Sequence, residues 1–425
     1  MVLSSPRGTN DVFGEDIKYR DFIINSAKDL FRLFNYSEII TPAFEHTEVF
    51  DRGIGKSTDI VKKEMYTFTD KKGRSLTLRP EGTASVVRAI IEHKMYSEKI
   101  PVKLFYIGNM FRYERPQKGR MREFSQLGVE AAGVAEPFID AEVIWILNSI
   151  FDRIGFRNLK LMINSVGCEK CRRDYIRVFK SYIKPEVESF CPDCKVRYDT
   201  NPLRIFDCKV EQCKKIIEGS PKIYQHICAD CREHILKVCH YLEKMGINYF
   251  IKEELVRGFD YYTGTIFEII SDDLESVQNA LGGGGRYDNL IAQFGGPPMP
   301  SIGFAIGIDR TILLMRQLNI KYLTKELKSA AYIALLSDKF YDTGLKVTKL
   351  LRENNIPCDI SYKVRPLSSQ IKTAVRDGFS HFIAIGDDEI KTGVFNVKNL
   401  EKHTQFKLNI NDSSKNISAV FRSSL

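Results

Sequence analysis

No stretch of this 425-residue chain approaches the ~20 consecutive apolar residues that a membrane-crossing helix needs. The longest apolar run lies around Ala330–Leu336. The opening residues, Met1 to Asn10, lack the apolar segment of a secretory leader. No internal repeat or low-complexity tract stands out. There is also no G-x-G-x-x-G between a strand and a helix, so the dinucleotide fingerprint is missing. These absences exclude a membrane-spanning bundle and point to a soluble, cytoplasmic protein. Wholesale disorder is excluded as well, because 43% of the residues are hydrophobic and only 28% charged. The length favours two or three domains.

What is present is mildly basic and unevenly distributed. Lys and Arg number 63 against 54 Asp and Glu, a net +9 that permits a polyanionic partner without requiring one. Of ten cysteines, nine fall between Cys168 and Cys239. Without a secretory leader, such clustering suggests metal ligands or free thiols rather than disulfides. Cys168-x-x-Cys171 and Cys191-x-x-Cys194 match a four-thiolate zinc spacing, and Cys208/Cys213 with Cys228/Cys231 could form a second site. Reduced thiols without metal are the alternative.

Apolar spacing predicts an amphipathic helix over 16–34, then a strand from Ser37 stopped by Pro42. A strand at 75–79 breaks at Pro80-Glu81-Gly82-Thr83, and a helix follows through His93. Two strand-like runs, Val102–Glu114 and Glu123–Ala132, flank a hairpin loop in which Arg112–Arg122 holds five basic residues and one acid. Helix and loop fill 138–155 and most of 165–247. Strands resume at Phe250, through Gly264–Ile270, Gly282–Asp288 and Ser301–Ile306, before a helix from Asp309. This is an α+β pattern with an antiparallel sheet and a helical, Cys-rich insertion at about 165–247. Beyond the charged stretch Lys321–Lys328, strands and helices alternate, which predicts a small α/β domain with a largely parallel sheet. The expected domains are therefore 1–325 and 326–425.

Several constellations could carry chemistry. Period-two alternation places Met110, Arg112 and Glu114 on one strand face, and Phe124, Gln126, Gly128 and Glu130 on one face of the next. If those faces coincide, they form a wall of guanidinium, carboxylates, amide and ring suited to a phosphorylated ligand with an amino group and a flat base. A solvated ladder of charges is the bland alternative. Glu81 and Thr83 can both accept from an ammonium group, or Thr83 can simply cap its helix. Gly303–Arg310 takes a strand into a helix with an arginine at the end. Arg257, Tyr261 and Tyr262 lie within one short segment. Two adjacent tyrosines in a strand cannot both face the core, so one should be available to a ligand.

In order and spacing these segments resemble the class II aminoacyl-tRNA synthetases, with the resemblance covering nearly the whole chain. Helix 16–34 and its strand resemble motif 1, the dimer-forming element; Phe111–Phe124 resembles motif 2; Gly303–Arg310 resembles motif 3. Leu255–Tyr262 and Gly283–Asp288 resemble the two signatures of the histidyl-tRNA synthetase family. The resemblance implies L-histidine, ATP with Mg2+ and tRNA(His) as ligands, a homodimer, and an anticodon-binding C-terminal domain. It implies that Arg112 and Arg257 are catalytic. Arg112, Glu114, Arg120, Phe124 and Arg310 would hold ATP, while Glu81, Thr83, Gln126, Glu130, Arg257, Tyr261 and Tyr262 would hold histidine. Arg115, Gln117, Lys118 and Arg122 would approach the tRNA acceptor stem. Val364 and Pro366 depart from the family's usual Gly-Arg-Ser-Leu, and Phe259 replaces a usual leucine. A rival from another class is a synthetase-like regulatory subunit that binds histidine without aminoacylating; such relatives typically lose the C-terminal domain and the catalytic arginines present here.

Overall fold

The structure, a computed structural model, describes residues 3–55, 58, 60–274, 279–322, 330–409 and 421. Residues 323–328 of the charged stretch Lys321–Lys328 lie outside the described residues. The chain divides into two compact units, 1–323 and 324–425.

The first unit begins with α1 (Glu15–Leu33), whose buried Tyr19, Ile23, Ala27, Leu30 and Phe31 recur at helical spacing. Strands β1 (Ser37–Glu38), β2 (Phe44–His46), β3 (Thr67–Thr69) and β4 (Ser75–Leu78) follow, with the short α2 (Thr47–Phe50) between β2 and β3. Next come α3 (Thr83–Glu92), β5 (Val102–Phe111), β6 (Glu123–Ala132), α4 (Pro137–Ile154) and β7 (Lys160–Ser165). The insertion supplies α5 (Glu169–Ile183), α6 (Pro192–Thr200), α7 (Glu211–Glu218) and α8 (Ala229–Lys244). The unit closes with β8 (Phe250–Ile251), β9 (Thr263–Ile270), β10 (Ala280–Arg286), α9 (Leu290–Gln293), β11 (Ser301–Gly307) and α10 (Ile308–Gln317).

Eight strands form one sheet in the order β1-β5-β6-β11-β10-β9-β7-β8. Pairing is antiparallel except for β1 with β5 and β7 with β8, so the expected antiparallel core is present. Alternation along β5 and β6 sorts their side chains. Phe105, Leu127, Val129 and Ala131 join the core beneath α1, α4 and α8. Leu104, Tyr106 and Met110 face the other side with α3 and the insertion.

The second unit carries β12 (Ala331–Leu335), α11 (Tyr341–Glu353), β13 (Cys358–Ile360), α12 (Leu367–Arg376), β14 (His381–Ile385), α13 (Asp387–Thr392), β15 (Val394–Asn399) and β16 (Gln405–Asn409). Its sheet runs β13-β12-β14-β15-β16. The first three strands are parallel, but β15 and β16 pair antiparallel at the edge. The sheet is thus mixed rather than largely parallel. The two added strands form a hairpin through Asn399–Thr404, which needs no crossover helix.

Candidate active site

The β5–β6 register decides whether the two polar faces coincide. Met110 lies opposite Phe124, Gly108 opposite Gln126, Tyr106 opposite Gly128 and Leu104 opposite Glu130. Even-numbered residues therefore share one face, and the wall expected from the sequence exists. β5 stops at Phe111 rather than continuing to Glu114. The pairing is extended by one more bond, from the Arg112 N–H to the Arg122 carbonyl at 2.8 Å.

At the inner end of the wall lies a carboxylate-rich pocket. Thr83 Oγ1 donates to Glu130 Oε1 at 2.7 Å, and the Tyr287 hydroxyl donates to Glu130 Oε2. Glu130 is only 1% exposed, and burial pushes its carboxyl up to about 8. Gly303 lies directly opposite on β11, where any Cβ would run into the Glu130 carboxylate. Glu81 accepts the backbone N–H groups of Thr83 (2.6 Å) and Ala84 (2.8 Å). The carboxylate, not the Thr83 hydroxyl, thus satisfies the start of α3. Burial raises the Glu81 carboxyl too, partly offset by those donors. Gln126 Oε1 is buried without a partner, as an acceptor awaiting a ligand donor would be.

Tyr261 and Tyr262 are both buried, at 6% and 8% exposure, with ring centroids 4.7 Å apart. The strand expected around them is absent. β9 begins only at Thr263, so alternation does not apply to the turn before it. Both rings join the core cluster that holds Tyr106, and Tyr261 meets Tyr287 edge-on with ring centroids 5.7 Å apart. Arg257 Nη1 donates to Glu268 Oε1 at 2.7 Å, while its Nε is buried without a partner. Its guanidinium lies 5.9 Å from the Tyr262 ring centroid and 3.0 Å from where a Cβ on Gly283 would stand.

At the outer end, guanidinium groups gather. Arg112 Nε donates to the Pro80 carbonyl at 2.9 Å, and its guanidinium sits 5.2 Å from the Phe124 ring centroid. Arg120 lies against the buried Glu114 carboxylate. Arg310 Nε donates to the Gly119 carbonyl at 2.8 Å and Nη1 to Ala280 at 3.1 Å. This ties the start of α10 to the motif 2 loop. Burial, and then repulsion from Arg112 and Arg120, lowers the Arg310 pKa. Cations crowded this closely, with only Glu114 and Glu64 in ion-pair reach of them among the described residues, suit a polyphosphate.

Arg115, Gln117 and Lys118 are exposed on the loop. Arg122 turns back: it stacks 4.1 Å from the Tyr113 ring centroid and donates to the Glu114 carbonyl at 3.2 Å. It braces the loop rather than extending from it. Sequence reasoning missed Tyr106 and assigned no role to Tyr287, though both line the Glu130 pocket. Tyr106 shares the even-numbered face of β5, so the same alternation could have found it. Glu268, the partner of Arg257, left no comparable local signal.

Eight of the nine clustered cysteines assemble, and differently from the expected pairing. Cys168 and Cys171 meet Cys228 and Cys231, while Cys191 and Cys194 meet Cys208 and Cys213. Sequence proximity suggested joining the first two C-x-x-C pairs. The pairing is instead nested: the first and last pairs in sequence meet each other, and the two pairs between them meet each other.

Residues 8–170 and 204–311 match the family model described as histidyl-tRNA synthetase, and residues 330–419 match an anticodon-binding domain model. The histidine--tRNA ligase of Halothermothrix orenii is 47% identical over 96% of this chain and 97% of its own length. That of Thermodesulfovibrio yellowstonii is 44% identical over 97% of both. The apo S. aureus histidyl-tRNA synthetase superposes with a TM-score of 0.83 at 36% identity, covering 98% of this chain and all of that one. With both histidine signatures placed around one pocket and full-length relatives at this identity, the chain belongs to the histidyl-tRNA synthetase family.

Proposed function

We propose that the protein joins L-histidine to tRNA(His) in two steps. In the first, a histidine carboxylate oxygen attacks the α-phosphorus of ATP. A P–O bond forms, the bond to the β-phosphate bridge breaks, and pyrophosphate leaves with its electron pair. In the second, a terminal ribose hydroxyl of the tRNA attacks the activated carbonyl; AMP departs and the hydroxyl proton is released.

The observation that carries this reading is the shared face of β5 and β6, with a carboxylate pocket at one end and clustered arginines at the other. Glu81, Thr83 and Gln126 bind the ammonium group, and Glu130 and Tyr262 read the imidazole, with Tyr261 shaping the pocket. Hydrogen-bond readout is needed because apolar contact discriminates poorly among side chains of similar size. Arg112 and Arg257 stabilise charge developing on the α-phosphate oxygens. Arg120 and Arg310 hold the γ-phosphate side, Phe124 stacks on adenine and Glu114 accepts its amino group. Arg120 must move off Glu114 for both roles to be filled. Mg2+ accompanies the β- and γ-phosphates as part of the substrate.

Arg115, Gln117 and Lys118 approach the acceptor stem on the loop that Arg122 braces, and the second unit binds the anticodon. The exposed Leu33 at the end of α1 and Trp145 on α4 suit a homodimer interface. The reading extends to structural zinc on the insertion's cysteines and to the cytoplasm, where tRNA is charged. The test is charging of a tRNA(His) transcript with labelled histidine: stable histidyl-tRNA is expected. A protein that binds histidine yet charges no tRNA would favour the regulatory-subunit rival.

A further inference from the structure

The cysteine tetrads have a metal site's geometry on two independent counts. The first is spacing. In each tetrad all four sulfurs lie within 4.8 Å of one another. The individual S···S separations are 3.5 Å for Cys168–Cys171, 4.0 Å for Cys171–Cys231 and 3.8 Å for Cys191–Cys208. A regular tetrahedron with Zn–S bonds of ~2.3 Å has edges of about 3.8 Å. Disulfide sulfurs would stand about 2 Å apart, and a multi-iron cluster would hold its sulfurs wider than a single ion does.

The second is backbone placement. Cys168, Cys191 and Cys228 each precede the first residue of a helix, with Cys171, Cys194 and Cys231 in the first turn. Backbone N–H groups point at sulfur: Cys228 to Cys171 at 3.1 Å, Cys191 to Cys213 at 3.3 Å and Val210 to Cys208 at 3.4 Å. Backbone donors of this kind are the outer partners that orient a metal-ligating sulfur. An all-sulfur tetrahedral set selects zinc among the common divalent ions.

Both tetrads sit beside residues that grip the histidine segment. Arg172, next to Cys171, donates to the carbonyls of Asp260 (3.1 Å) and Tyr262 (2.9 Å). Between Cys194 and Cys208, Asn201 donates to the Asp260 carboxylate at 2.5 Å and Arg204 to the Gly258 carbonyl at 2.7 Å. The turn before β9 has no sheet partner across 258–262, so these bonds fix its course.

We propose that the insertion binds two zinc ions, one in each tetrathiolate, and that these clasps hold Arg172, Asn201 and Arg204 as positioning residues for the Arg257–Tyr262 segment. The metal sites stand on geometry alone; the positioning role rests on the histidine-binding reading of that segment.

Elemental analysis of full-length protein purified without chelator tests the sites. Two zinc per chain are expected, with X-ray absorption showing four sulfur neighbours at ~2.3 Å. Cys231→Ser should lose one zinc and Cys213→Ser the other. Less than half a zinc per chain, iron in its place, or disulfides found by thiol titration would overturn the sites, even with histidine-dependent activity intact. Arg172→Ala and Arg204→Ala test the positioning role with both zinc ions retained. The KM for histidine should rise on the order of tenfold while the KM for ATP stays near wild type. Equal effects on both substrates, or none, would overturn it. Absence of histidine-dependent activity in the wild type would instead defeat the functional reading and leave the zinc count standing.

Discussion

Arg257 is a guanidinium held on one side by Glu268 and left with an unpartnered, buried Nε on the other. Such a group is either the support of a salt bridge or a donor prepared for substrate charge. In the second case Arg257→Ala should lower kcat by 10²–10³, on the order expected for one electrostatic donor, with Tm unchanged. Arg257→Lys should recover little, because a point charge on a flexible stem does not reproduce the fork. A fall in Tm matching the loss of activity would return Arg257 to a structural role. Glu130 gives a pH signature. Its folded carboxyl lies at about 8 against an ordinary 4.5, so the folded state keeps a proton that the unfolded chain releases between those values. The stability this group contributes is therefore complete below its unfolded pKa and is lost as pH rises through about 8. Glu130→Gln keeps the neutral shape. Thermal melts of the ligand-free variant should show a flatter pH profile and greater stability than wild type at alkaline pH, alongside weaker histidine binding. Parallel profiles for the two proteins would contradict the burial argument.

The elements most legible in the sequence were those with strong local periodicity. The β5–β6 pair and its shared face followed from alternation, and α1 followed from its apolar stripe, because both signals are carried by residues close in sequence. Long-range partners carried no such signal. Nothing in the spacing of Cys168 through Cys231 distinguished nested from sequential pairing, and the turn holding Tyr261 and Tyr262 looked like a strand. Residue 268 became visible as the partner of Arg257 only once β9 was in place. The β15–β16 edge hairpin was half seen, since a short polar strand such as Gln405–Asn409 has little pattern to read. Individual roles in the site came from family resemblance, not from periodicity. One element yields a direct prediction. The loop between β5 and β6 exposes Arg115 and Lys118, so Arg115→Ala and Lys118→Ala should each raise the KM for tRNA. Each should also flatten the salt dependence of tRNA binding by roughly one phosphate contact. Pyrophosphate exchange, which needs no tRNA, should stay close to wild type; a comparable loss there would assign the loop to ATP instead.

At the scale of the whole molecule, the two units have separate cores. Ile333, Leu335, Val347, Ile383 and Val397 belong to one core cluster whose described members all lie in the second unit. Removing residues 324–425 should therefore leave histidine activation near wild type and sharply raise the KM for tRNA. A truncated protein that charges tRNA normally would refute anticodon binding by this unit. The central claim is narrower: one pocket on the β5–β6 face selects histidine and activates it with ATP. ATP–pyrophosphate exchange, run with each of the standard amino acids in turn, tests it most directly. The account predicts exchange that depends on histidine and is abolished by loss of Arg112. Exchange with a different amino acid, or none with histidine, would contradict it.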